Sequence, residues 1–156
     1  MAETRFQERG ENRFSISLPT VEDPTQIVCP VCKKKAVVTL QNDDMAKLTC
    51  VHCSYNTTTS AKERQFYWGS TTPTDGFFGA ELWLQIDCAG HSLWAFNCRH
   101  IEFLEDFVSA KHRQRNPYED NWHNSSLASR LPKWMKSAKN REQILKGIEV
   151  LKEKAN

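Results

Sequence analysis

The sequence predicts an α+β protein: an N-terminal antiparallel β module, then a β-hairpin packed against three C-terminal helices. Three observations carry this. Two C-x-x-C pairs, Cys29-Pro30-Val31-Cys32 and Cys50-Val51-His52-Cys53, bracket seventeen residues that read as two strands and a turn. Two further strand-like runs flank a turn near Gly90. Beyond Ile101, apolar residues recur at helical spacing.

The 156 residues suit one compact domain or two small modules in contact. With 39% apolar and 26% charged residues and no low-complexity tract, the composition excludes a disordered or fibrous chain. Twenty-one Lys and Arg stand against nineteen acids, and this net charge of +2 gives no general attraction to polyanions. Any contact with nucleic acid must then come from local clusters. The first fourteen residues alternate acids and bases without an apolar core, and no run of eighteen apolar residues occurs. These features lead us to expect a cytoplasmic protein without a membrane anchor. In that reducing setting, closely paired cysteines hold metal more often than they form disulfides.

The elements follow in order. Residues 1–24 read as an arm with one short strand in Arg13–Pro19. Residues 25–70 form the β module, with strands at Lys35–Gln41, Ala46–Thr49 and Arg64–Trp68 and a polar turn at Asn42–Asp44. Gly69–Gly76 is rich in turn formers and marks the boundary to a second module, residues 77–156. There Glu81–Asp87 and Ser92–Asn97 make the hairpin, with Leu82, Leu84 and Ile86 on one face and Trp83 paired across to Trp94. Ile101, Leu104, Phe107 and Val108, continued by Lys111, form the stripe of a first helix, which Asn116–Asn124 ends. Ser125 or Ser126 caps a second, carrying Leu127, Leu131, Trp134 and Met135, with a start or kink at Pro132. Asn140 and Gln143 resemble a capping box before Ile144, Leu145, Ile148 and Leu151 in a third.

The cysteine pairs carry the chemistry. Each can form a tight knuckle, and a hairpin between them brings the knuckles together, so that Cys29, Cys32, Cys50 and Cys53 surround one Zn2+ tetrahedrally. Such a site is closed and structural, because four thiolates leave no position for water. Iron in the same four-thiolate site and a redox dithiol are the other readings of these pairs. His52 is either a replacement ligand or an exposed knuckle residue. CPVC, a β-type spacer and CVHC resemble the zinc ribbons of general transcription factors, helicases and ribosomal proteins, over residues 27–68. The resemblance implies a three-stranded ribbon with a structural zinc, commonly used to contact nucleic acid or a machine that handles it. Leu127–Arg141 is similar to the C-terminal half of bacterial zinc-ribbon proteins of unassigned activity.

Two other constellations stand out. Arg130, Lys133, Lys136, Lys139, Arg141 and Lys146 face a single acid, Glu142, a local excess of five, with Trp134 interleaved. Together with Lys33, Lys34 and Lys35 after the first knuckle, Arg130, Lys133, Lys136, Lys139 and Arg141 are the candidate nucleic-acid contacts. A solvated basic face is the alternative, as is a core role for Trp134. Cys88, His91, Cys98 and His100 offer ligand types for a second metal or a Cys-His catalytic pair, against ordinary roles in core, turn and helix cap. The chain lacks a phosphate loop, a dinucleotide fingerprint, an H-E-x-x-H pair and a nucleophile elbow. The expected function is therefore non-catalytic: a zinc-ribbon protein that binds nucleic acid or docks on a complex handling it. A protein-interaction adaptor or homo-oligomer using aromatic surface around Trp68, Phe77 and Phe78 is the second choice. An enzyme at residues 88–100 is the third.

Overall fold

Antiparallel pairing of four strands builds the N-terminal half of the computed structural model, which describes residues 5–7, 18–42, 44–62, 73–110, 112–114 and 131–156. The strands are β2 (Thr25–Val28), β3 (Lys35–Asn42), β4 (Met45–Thr49) and β5 (Asn56–Ser60), hydrogen-bonded in that order. Alternation sets the inner face: Ala36 and Val38 of β3 and Ala46 and Leu48 of β4 are buried while their neighbours are not. Val38 lies opposite Leu48, and Ala36 opposite Ile27 of β2. A register shift between Leu40 and Asn42 precedes the last pair at the hairpin tip, Asn42 with Met45.

This sheet has one strand more than the family resemblance implies. β2 and β5 are not apparent from apolar alternation: Thr25-Gln26 opens the first, and Asn56–Ser60 is wholly polar. In β5 three consecutive threonines supply β-branched side chains, and the edge position leaves its outer face to water. The expected strand at Arg64–Trp68 lies outside the described residues, as do Lys111, Asn116–Asn124, Ser125, Ser126, Leu127 and Arg130. At the N-terminus the strand is β1 (Arg5–Gln7), parallel to β8 (His112–Gln114). Of Arg13–Pro19 only Leu18 and Pro19 are described, and neither is in a strand.

The second half opens with the expected hairpin, β6 (Gln85–Cys88) and β7 (His91–Trp94). Its turn is two residues, Ala89 and Gly90, with φ of 52° and 80°. Positive φ at both is the turn that matches strand twist. The strand is shorter than the alternation of Glu81–Asp87 predicts. Leu82 bridges to Ile27 and joins the core of the first sheet, while Leu84 joins the core of the helices. Trp83 therefore does not pair with Trp94, whose partner across β7 is Gln85. Instead the Trp83 indole N–H donates to the Lys154 carbonyl at 3.1 Å, and the Lys154 ammonium lies 5.3 Å from the ring centroid.

Helix α1 (Cys98–Ser109) starts where three side-chain oxygens, one amide and two carboxylate, meet its free N–H groups. Asn97 Oδ1 accepts from His100 N, and the Asp23 carboxylate accepts from Cys98 N and Arg99 N at 2.9 and 3.0 Å. Ile101, Leu104, Phe107 and Val108 are buried as the periodicity predicts. Helix α2 (Lys133–Lys136) begins directly after Pro132, which suits a residue lacking an N–H donor. A 3-10 turn, Ala138–Asn140, then runs into helix α3 (Arg141–Ala155). The capping box does not form: Asn140 already has helical dihedrals and its amide donates to the Trp134 carbonyl at 2.9 Å. Ile144, Ile148 and Leu151 are fully buried, with Leu145 partly so.

Gly147 is where α3 meets the hairpin. A Cβ built there would stand 2.9 Å from Leu93 Cδ2, 3.1 Å from Ile86 Cδ1 and 3.4 Å from Cys88 Sγ. Gly147→Val is expected to lower stability by about 3 kcal/mol through overpacking. Urea unfolding at fixed metal content checks this, and an unchanged midpoint would mean that the helix can retreat.

Candidate metal centre

Each cysteine pair sits in a turn at the same end of the sheet, the first between β2 and β3, the second between β4 and β5. The two knuckles are built alike. The N–H of each leading cysteine donates to a carbonyl five residues on, Cys29 to Lys34 at 2.7 Å and Cys50 to Tyr55 at 2.9 Å. In each, the residue after the second cysteine, Lys33 or Ser54, has a φ of 65°. This left-handed residue reverses the chain into the next strand, at a conformational cost that glycine would lack.

The outcome is convergence. All four Sγ atoms lie within 4.8 Å of one another, with Cys29 to Cys53 at 3.7 Å and Cys32 to Cys50 at 3.6 Å. A tetrahedron with metal–sulfur bonds of about 2.3 Å has edges of about 3.8 Å, whereas a disulfide bond is about 2.05 Å long. All six cysteines are free thiols. Neither pair stands at a helix N-terminus, the setting that activates a redox dithiol. The four cysteines together could hold one metal ion.

Electrostatics at the cluster favour a cation. Burial acts most strongly on the Cys29 thiol and opposes its ionisation. The Cys32 and Val31 N–H groups and the neighbouring thiols outweigh it, bringing Cys29 down to about 6. The Val31 and Cys32 N–H groups approach its sulfur at 3.4 and 3.5 Å. For Cys53 the Tyr55 N–H is the largest influence and lowers it, yet burial and the sulfurs of Cys29, Cys32 and Cys50 push it up to about 12. The first thiolate forms readily and the last resists. A divalent ion among them reverses that resistance.

The candidate cations do not form one patch. Lys33 and Lys34 are exposed beside the first knuckle, and the Lys35 ammonium donates to the Ala155 carbonyl at 3.3 Å. Lys133, Lys136 and Lys139 are exposed at the other end of α3, a rise of about 22 Å along its fifteen residues. Arg141 turns inward and donates to the Ala110 carbonyl at 3.4 Å. Arg130 lies outside the described residues. His52 stays exposed between Cys50 and Cys53 and is not part of the sulfur group.

The residues of the second constellation are dispersed. Cys88 and His91 face each other at the hairpin end, but Cys88 turns in, its thiol donating to the Gln143 carbonyl at 3.6 Å, with burial raising its pKa. His91 is exposed and stacks on Trp134 at 4.7 Å. Cys98 is exposed at the start of α1, where burial and then the charge of Asp23 push its thiol up. His100 is buried between Trp94 and Phe96, and its Nδ1 accepts from the Phe96 N–H at 3.1 Å. Among the described residues, Cys29, Cys32, Cys50 and Cys53 are the only group of three or more metal-ligating side chains. Trp134 packs partly against the helical core. Phe77 and Phe78, expected at an aromatic surface, are half-buried against the core of the sheet. Asp75, which no sequence pattern marks, places them there: its carboxylate accepts from the N–H groups of Phe77, Phe78 and Ala80 at 2.7–2.8 Å.

Comparison with protein-family models, curated proteins and solved structures finds no match to this chain.

His100 gives a pH dependence. Burial lowers its pKa from 6.5 to about 3, so the unfolded chain takes up a proton that the folded one refuses. Its stabilising effect is complete above pH 6.5 and shrinks by about 1.4 kcal/mol per pH unit below that, down to about 3. Denaturant titrations of the wild type and His100→Gln across this range should differ by that slope. Parallel curves would show that the imidazole protonates in place.

Proposed function

We propose that this chain is a non-catalytic zinc-ribbon protein that binds nucleic acid or docks on a complex handling it. The observation that carries the reading is the sulfur cage, whose spacings are those of a tetrahedral four-thiolate site. Zinc is the metal proposed, since it prefers four soft thiolates in a tetrahedron. A closed site of this kind organises structure rather than activating water, and the absence, among the described residues, of a cluster joining Cys88, His91, Cys98 and His100 weighs against a second metal there. Among the described residues no helix is long and apolar enough to cross a membrane. A reducing cytoplasm, where thiolates persist, is the proposed location.

The nucleic-acid part rests on the exposed lysines at both ends of α3. A second reading is favoured by a specific feature: Val31 and Val51, one in each knuckle, are 60% and 81% exposed beside the metal site. Such apolar side chains suit a protein surface better than a phosphate backbone. Salt separates the two, because counterion release makes phosphate binding fall steeply as salt rises.

Fresh, reduced protein is expected to carry one equivalent of zinc by metal analysis, and less than about half would defeat the ribbon. Zinc binding contributes on the order of 10 kcal/mol to a module this small, so a chelator should unfold the sheet of β2 to β5. Affinity should fall with pH, as protons compete for all four sulfurs. A labelled oligonucleotide should bind at low salt and dissociate at high salt. No binding at low salt would leave the protein-docking reading in its place.

A further inference from the structure

The hairpin end and the segment before α3 meet in an arrangement that the metal centre does not use. Cys88 and His91 are directly opposite across the strands, so their side chains project from the same face. Cys88 goes inside against α3, and His91 at the rim lays its ring on the indole of Trp134. The ring centroids are 4.7 Å apart and the planes 6° from parallel. Trp134 is held from below by the helical core and through its carbonyl by Asn140. His91 nevertheless remains exposed, so the ring face turned away from Trp134 meets solvent.

The segment that carries Trp134 is cationic. From Leu131 to Arg141 there is no acid, and Lys133, Lys136 and Lys139 are all exposed. Lys133 adjoins Trp134 in the chain. We propose that the outward face of His91, backed by Trp134 and accompanied by these three lysines, is a stacking site for an unpaired base of a single-stranded nucleic acid. The inference rests on the nucleic-acid reading above and gives it a place and a strand preference. Planar rings held in a fixed stack lose little conformational freedom when a third ring is added, and lysines nearby neutralise the phosphates flanking that base. A duplex keeps its bases in its own stack and cannot use the platform. An acidic peptide would use the lysines but gain nothing specific from an aromatic plane.

The test uses the full, zinc-loaded chain and a fluorescent oligothymidylate of about 15 nucleotides, with a duplex of the same length for comparison. The single strand should bind more tightly than the duplex. His91→Ala should weaken it about tenfold and His91→Phe should restore it, since a phenyl ring preserves the platform. Changing Lys133, Lys136 and Lys139 together to Gln should reduce the salt slope of binding by about two. Far-ultraviolet circular dichroism confirms that the variants fold, which is expected at exposed positions. Duplex preference overturns the proposal, as does wild-type affinity in His91→Ala. So does displacement by polyglutamate as effective as by unlabelled oligothymidylate, which would indicate an acidic protein partner. If these variants bind like the wild type while Lys33→Gln with Lys34→Gln abolishes binding, the site lies at the knuckles: this inference fails and the nucleic-acid reading survives. Absence of binding to either probe at low salt overturns both.

Discussion

Four sulfurs brought within 4.8 Å of one another are the constraint on which the N-terminal half depends. Their convergence runs against charge, because each thiolate formed makes the next harder to form. A divalent ion held there would turn that repulsion into attraction and fix the two knuckles relative to each other. The apolar residues available show why such a brace would matter. Beside two of the cysteines, the sheet buries only Ile27, Ala36, Val38, Ala46, Leu48 and Ala61 of its own, three of them alanines. So small a core buries little area from which to stabilise four strands.

The sheet is also completed by the rest of the chain. Leu82 and Phe96 fill its core, and β2 exchanges backbone hydrogen bonds with the residues around the hairpin: Val28 N with Glu81 O, Trp83 N with Gln26 O, Gln26 N with Phe96 O. The C-terminal end of α3 points at this seam. Its last carbonyls accept from Trp83, Gln26 and Lys35, donors that satisfy groups a helix leaves unpaired and that complement the negative end of its dipole. Lys35 follows the first knuckle directly. The turn that brings Cys29 and Cys32 into the sulfur group thus leads into a residue that holds the C-terminal end of α3.

What was legible in the sequence, and what was not, divides along physical lines. The cysteine spacing determined the knuckles and the intervening hairpin, because a tetrahedral ion and strand geometry leave few ways to close seventeen residues. Helical stripes such as Ile101, Leu104 and Phe107 were legible because burial itself makes the period. β2 and β5 were not, since Asn56–Ser60 has no apolar alternation and earns its place by pairing with β4. The capping box at Asn140 was misleading for a related reason: the residues before it already turn, so its amide found a nearer acceptor. The contact between His91 and Trp134 also lay beyond any local pattern. It joins residues 43 apart in the chain.

The same tertiary contacts decide which charges a partner can meet. A net charge of +2 conceals the sorting. Arg99 is engaged with Asp23 and the Leu18 carbonyl, Lys152 with Glu105, Lys154 with the Gln85 carbonyl, Lys35 and Arg141 with carbonyls of the interior. These cations tie strands and helices together, and their field is largely consumed by their own partners. Lys33 and Lys34 at the first knuckle, with the Lys33 ammonium donating to the Pro30 carbonyl at 3.4 Å, and Lys133, Lys136 and Lys139 in the segment that carries Trp134 are exposed. Each of those groups stands near a structured feature, a cysteine knuckle in one case and a stacked aromatic pair in the other. A rigid neighbour matters because an isolated exposed lysine attracts any anion weakly, whereas a fixed plane or turn beside it can distinguish among anions by shape. Recognition by this protein is therefore to be sought where charge and rigidity coincide, and the two groups lie toward opposite ends of α3, a helix with a rise of about 22 Å.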